Sequence, residues 1–220
     1  MTSPEDKNFP IAQTAADETP KRSLILAGGG IRVAYQAGVI HALFESGMTF
    51  CHIDGASGGT INLAMLLSGL SSQEICNRWR TLDVHEFASS MPLGDYLNLP
   101  NIPALGSADG IINKVFPHLG IDPSIIIQQK GFQGTFNVCN YTRKTVEVIP
   151  HAQIDMDLLV AAISLPIFMP AVPKNGNLYI DAVWIRDANL MEAVRRGANE
   201  LWVVWCIGNI GVYKGGAFNQ

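Results

Sequence analysis

Short apolar runs broken by glycine set the rhythm of this chain. Ser23-Leu24-Ile25-Leu26-Ala27 ends at Gly28-Gly29-Gly30. Such a run, bounded by a breaker, predicts a short buried strand. Beyond it Val33, Ala37, Ile40, Ala42, Leu43 and Phe44 form the inner side of a helix over 31–46, with Gly47 as its stop. Thr49, Phe50, Cys51 and Ile53 are β-prone. Ile61, Leu63, Ala64, Met65, Leu66 and Leu67 then predict a second helix reaching Leu70. Ser71-Ser72-Gln73-Glu74 has the spacing of a capping box and starts a third. Strand, helix, strand, helix is the order of a parallel sheet covered on both faces.

The pattern changes over 91–123. Pro92, Pro100, Pro103, Pro117 and Pro123 interrupt it and no period is sustained. A long excursion over the sheet is expected there, serving either as a substrate-contacting flap or as plain cover for the core. Strand character returns at 135–139 and 145–149, joined as a hairpin through 140–144. Residues 157–164 are expected to be helical, Leu178–Ile180 a strand ending at Asp181, 189–197 a helix and 201–207 a last buried strand. No repeat or low-complexity tract is present.

Composition narrows the class. Hydrophobic residues make up 48% of the 220 positions and charged residues only 15%. The length fits one domain with a large core. Little charge implies deep burial or some apolar surface meeting a partner or lipid. The net charge of −4 gives no support for nucleic-acid binding. Apolar stretches fall short of a membrane span. The first 20 residues lack the apolar core of a secretory signal, so residues 1–21 are expected to be a flexible tail ahead of one domain over 22–220. The four scattered cysteines read as reduced thiols, with no metal-ligand spacing.

The candidate chemistry lies where strands end. Gly55-Ala56-Ser57-Gly58-Gly59 reads G-x-S-x-G between a β-prone and a helix-prone run. In that setting a serine sits on a sharp strand-to-helix turn with its hydroxyl exposed. Gly28-Gly29-Gly30-Ile31-Arg32 also joins a strand to a helix. Its bare amides and the helix start behind them suit an oxyanion or a phosphate. A P-loop would need a lysine and a hydroxyl residue after the last glycine, and neither is there. A dinucleotide fingerprint would need glycine or alanine where Val33 stands, which leaves a nucleotide-binding oxidoreductase as the weaker alternative.

Serine needs a base. No histidine follows the last two strands, as Ser–acid–His hydrolases require. Asp181, at the end of a late strand, falls on the same sheet edge as Ser57 and Gly28–Gly30. It suits either direct proton acceptance or a turn cap.

These pieces together resemble the patatin-like phospholipase family. The oxyanion loop is Gly28 to Arg32, the nucleophile turn is Gly55 to Gly59, and Asp181 stands for the motif aspartate. Ala161 to Pro170 looks like the proline–phenylalanine–proline segment before it. The resemblance covers about residues 22–207. It implies a three-layer α/β/α fold with a mostly parallel central sheet. It also implies a serine acyl hydrolase acting on lipid esters through a Ser57–Asp181 dyad without metal or cofactor. Gly28, Gly29 and Gly30 would form its oxyanion hole, with Arg32, Gly55, Gly58 and Gly59 in support. Peripheral membrane contact follows from that substrate, and the lack of a signal or spanning segment leaves a cytoplasmic or peripheral membrane location as the expectation. Val33 and Ala182-Val183 depart from the family pattern, and the chain stops soon after its last strand. These departures keep open a weakly active or non-catalytic relative that binds a lipid or partner.

Overall fold

Seven strands form one twisted sheet in this computed structural model, which describes residues 19–87, 89–90 and 104–208. Most of the expected tail, and residues 91–103 of the proline-rich excursion, lie outside the described residues. The strands of the sheet are β1 (Arg22–Leu26), β2 (His52–Ala56), β5 (Gln133–Asn140), β6 (Thr145–Pro150), β7 (Val172–Lys174), β8 (Asn177–Asp181) and β9 (Glu200–Val204); β3 (Ser89–Ser90) and β4 (Gly106–Ser107) pair separately. β9, β1, β2 and β5 run parallel, while β6, β7 and β8 are antiparallel to their neighbours.

One consequence of this pairing positions the site. β6 covers 135–140 along one edge of β5. β2 and β8 therefore share the other edge, β2 along 133–137 and β8 along 138–140. Ala56 is partnered with Asn137 and Asp181 with Val138, the next residue. Two strands running in opposite directions thus meet tip to tip. A parallel β8 was not needed to bring its end to Ser57.

The two faces of the sheet differ in chemistry. On one, Leu24, Leu26, Ile53, Phe136 and Val138 join the main apolar core. It is covered by α1 (Ala34–Glu45), α2 (Gly59–Leu67) and α3 (Ser72–Thr81). Gly134 lets Leu63 and Leu67 of α2 lie directly on β5. The Ser71 capping box starts α3 as its spacing predicts. On the other face α4 (Leu190–Arg195) packs over β1 and β2, completing an α/β/α arrangement.

The expected first helix is a 3-10 turn over Gly30–Val33 followed by α1. Ala42, expected inside, is exposed. Gln36 is buried in its place and donates to the Ala27 and Val204 carbonyls at 2.7 and 3.2 Å. The last strand ends at Val204, short of the expected residue 207. Its exposed Leu201, Trp202 and Val203 show it to be less buried than the apolar run implies.

Candidate active site

Ser57 is the residue on which β2 turns into α2, and its φ is +50°. A residue with a side chain rarely adopts that left-handed backbone. The turn is so tight that its neighbours meet backbone to backbone. A Cβ on Gly59 would overlap the Leu26 carbonyl oxygen, and one on Gly58 would stand 2.6 Å from the Gly30 carbonyl oxygen. A Cβ on Gly55 would lie 3.1 Å from the Gly59 and Thr60 backbone. The glycines of the pattern are required by space. The side chain of Val33, wholly buried, packs on the Gly58 side of this turn. Its extra bulk relative to glycine is absorbed there.

Asp181 reaches the same place from β8 and is fully buried. Its backbone N–H donates to the Ser164 carbonyl at 3.0 Å. Ser164 Oγ in turn donates to the Val160 carbonyl at 2.8 Å, so this serine anchors the strand end. Asp181 Oδ1 accepts from the Val183 N–H at 2.9 Å. Oδ2 has no partner of regular hydrogen-bond geometry among the described residues. The Ser57 hydroxyl stands against this carboxyl as its main local donor. Burial pushes the Asp181 pKa up to about 7, and the nearby Asp187 charge adds to the rise. Ser57 and the Val183 amide pull it back. A carboxyl held well above the usual carboxylate range therefore faces the hydroxyl.

The glycine loop lies across the mouth. Gly30 has φ +57°, which favours glycine. The Arg32 N–H closes the turn on the Gly29 carbonyl at 3.2 Å. The Arg32 guanidinium makes no ion pair among the described residues. The Gly28 N–H is already engaged, donating to the Asp187 carbonyl at 3.2 Å. Of the three amides expected to face an oxyanion, that of Gly28 is where the segment after β8 clips onto the loop. A Cβ on Gly28 would overlap Asp187 Oδ1 and lie 3.0 Å from Ser57 Cβ. The N–H groups of Gly29 and Gly30 meet no acceptor among the described residues.

Behind the serine turn runs a buried polar chain. Ser23 Oγ lies 2.7 Å from His52 Nδ1, and His52 Nε2 lies 2.8 Å from Thr135 Oγ1. Thr135 donates to Asp54 Oδ2 at 2.6 Å. Asn137 Nδ2 donates to Asp54 Oδ1 at 2.8 Å and to the Gly55 carbonyl at 2.9 Å. Asn137 Oδ1 accepts from Asn189 Nδ2 at 2.8 Å. Burial pushes Asp54 up to about 7 and lowers His52 to about 4, so the imidazole stays neutral. Thr135 spends its proton on Asp54, so Nε2 must donate to Thr135 and Nδ1 accept from Ser23.

Asn137, Asp187 and Asn189 escaped the sequence reading. An asparagine between Phe136 and Val138 in a buried strand was the available signal, because strands disfavour it. Asp187 gave none, lying in an ordinary polar turn.

A cavity of about 620 Å³ opens beside Ser57 and Gly58. Ile61, Phe87, Ile111, Ile163, Leu165 and Met169 supply much of its apolar wall. Ile111 begins a short π-helical stretch, Ile111–Val115, a distortion frequent at functional sites. Among the described residues no cluster of His, Cys, Asp or Glu could hold a metal ion. No helix among them is long and apolar enough to cross a membrane.

Comparison with known proteins agrees on the fold. VipD from Legionella pneumophila superposes with a TM-score of 0.51 at 16% identity, covering 77% of this chain and 46% of that one. The chain therefore spans under half the length of VipD. ExoU, crystallised with SpcU from the type III secretion system of Pseudomonas aeruginosa, gives a TM-score of 0.40 at 20% identity, over 66% of this chain and 38% of that one. No match was found among curated proteins. The family model described as patatin-like phospholipase matches residues 24–194, most of the chain, and the chain belongs to that family.

Proposed function

We propose that this protein is a serine lipid acyl hydrolase whose dyad is Ser57 and Asp181. The observation that carries the reading is the unpartnered carboxylate oxygen of a buried aspartate beside a strained serine, at the mouth of an apolar cavity. The cavity volume lies within the usual range for small-molecule sites, and its wall suits an acyl chain.

The steps use only the chain, the ester and water. Asp181 takes the Ser57 proton as Oγ attacks the ester carbonyl. The tetrahedral oxyanion accepts hydrogen bonds from the Gly29 and Gly30 amides and from that of Gly58, which follows the nucleophile. Collapse expels the alcohol, which leaves with the proton from Asp181. Water then gives its proton to Asp181 and attacks the acyl-serine. The fatty acid departs and Ser57 recovers its proton. Arg32 supports the loop through its backbone turn onto Gly29. The substrate class places the enzyme at a membrane surface, bound peripherally.

A fluorophosphonate probe tests this directly. Wild type is expected to label and Ser57→Ala to stay unlabelled. Labelling that survives the substitution removes Ser57 from the role. The clip between Gly28 and Asp187 supports a second reading, a weakly active relative whose oxyanion loop is partly spent. Faster labelling in Asp187→Gly, which frees the backbone of the segment carrying that carbonyl, than in wild type would favour it.

A further inference from the structure

The cavity is apolar on its outer rim as well as inside. Ile31, Leu105 and Phe168 line it, yet they are 55%, 57% and 47% exposed. None of the described lining residues carries a charge. Ile167 stands beside them, 64% exposed, its carbonyl accepting from the Leu105 N–H at 2.7 Å.

The backbone of Ile167 is the unusual feature. Its φ is +78°. For a β-branched residue this is a genuine outlier, where glycine or asparagine would sit with little strain. The chain holds a large apolar side chain in water on a strained backbone. Neither feature favours the folded monomer by itself. Strain of this kind clusters at active sites and ligand-contacting segments.

We infer that this rim seats the protein on a lipid surface. Ile31, Leu105, Ile167 and Phe168 enter the acyl region around the cavity mouth. The inference rests on the lipid-hydrolase reading and names the face that reading leaves open. Continuity identifies the occupant. Three of the four rim residues are also cavity wall. Whatever covers the rim is in contact with what enters the cavity, and a lipid layer does both. A protein partner would ordinarily meet an apolar centre framed by a polar ring, which contributes hydrogen bonds.

Flotation of the 220-residue chain with phosphatidylcholine vesicles tests the proposal. Wild type floats. Ile167→Asn, which suits the left-handed backbone, partitions about tenfold more weakly for the lost apolar burial, and its melting temperature is not lowered. Ile167→Leu floats like wild type. Ser57→Ala also floats like wild type, since Ser57 lies below the rim. A folded Ile167→Asn protein that floats as well as wild type overturns the proposal, and so does a wild type that does not float. Fluorophosphonate labelling of wild type reads the hydrolase separately. Absent labelling with intact, Ile167-dependent flotation sinks the hydrolase reading and supports the docking face.

Discussion

Asp54 and Asp181 lie in the same sheet, both are buried, and both are pushed up to about 7 by burial. Around Asp54 every oxygen is engaged, one by Thr135 and the other by Asn137. Around Asp181 one oxygen is engaged by the Val183 amide and the other is open toward Ser57. A raised pKa therefore does not separate structure from chemistry here. Spare hydrogen-bonding capacity beside the proposed nucleophile does. Asp54 terminates a row of donors that stiffens the strand under Ser57. Asp181 keeps an open oxygen, where the proposed dyad would receive a proton.

The largest test of this contrast is a pair of isosteric substitutions. Asp181→Asn is expected to cut kcat by roughly 10⁴-fold, as removal of a catalytic acid partner does elsewhere. Asp54→Asn is expected to stay within about tenfold of wild type, the span of one lost hydrogen bond. The amide at 54 can still accept from Asn137. It can donate to Thr135 if the Thr135–His52–Ser23 row reverses its proton direction. Esterase kinetics on both variants decide the matter, and equal losses would erase the distinction.

Asn137→Ala comes next. It strips a donor from Asp54 and from the Gly55 carbonyl, and an acceptor from Asn189. A loss of about 1–3 kcal/mol in stability is expected from denaturant midpoints. A fall in kcat with KM little changed should accompany it, because the grip lies two residues before Ser57. A variant that loses stability but keeps kcat would show the row to be scaffold alone.

The pH profile is a finer probe. Asp181 must be ionised to accept a proton, so kcat/KM should rise with pH through an apparent pKa of about 7. Asp187 raises Asp181 by like charge. Asp187→Asn should move this limb to lower pH, whereas Asp54→Asn should leave it in place. A limb that follows Asp54 would reverse the assignment.

The smallest effect is on stability. The folded-state pKa of Asp54 lies above its ordinary value of 3.8. Its contribution is fully present below the unfolded value and is lost as pH rises toward about 7. Asparagine does not titrate. The melting-temperature advantage of Asp54→Asn over wild type should therefore grow between pH 4 and pH 7 and then level off. A constant difference across that window would show that position 54 does not titrate there.

Much of this was legible in the residues. The glycine spacing about Ser57 implied a tight strand-to-helix turn, and the turn is there with φ +50°. The Ser71–Glu74 box marked a helix start, and the hairpin over 133–150 followed from two β-prone runs. Each is a local property, set by side-chain periodicity, glycine and capping within a few residues, and so is written in sequence order. What only the tertiary structure decided is pairing across long separations. β8 runs antiparallel to β5 and meets β2 end on, which brings residue 181 to residue 57. Gly28 gives its amide to Asp187, and Thr135 and Asn137 of β5 converge on Asp54 of β2. Local preferences specify strands and turns, but strand direction and edge choice depend on burial and backbone bonding summed over the whole sheet.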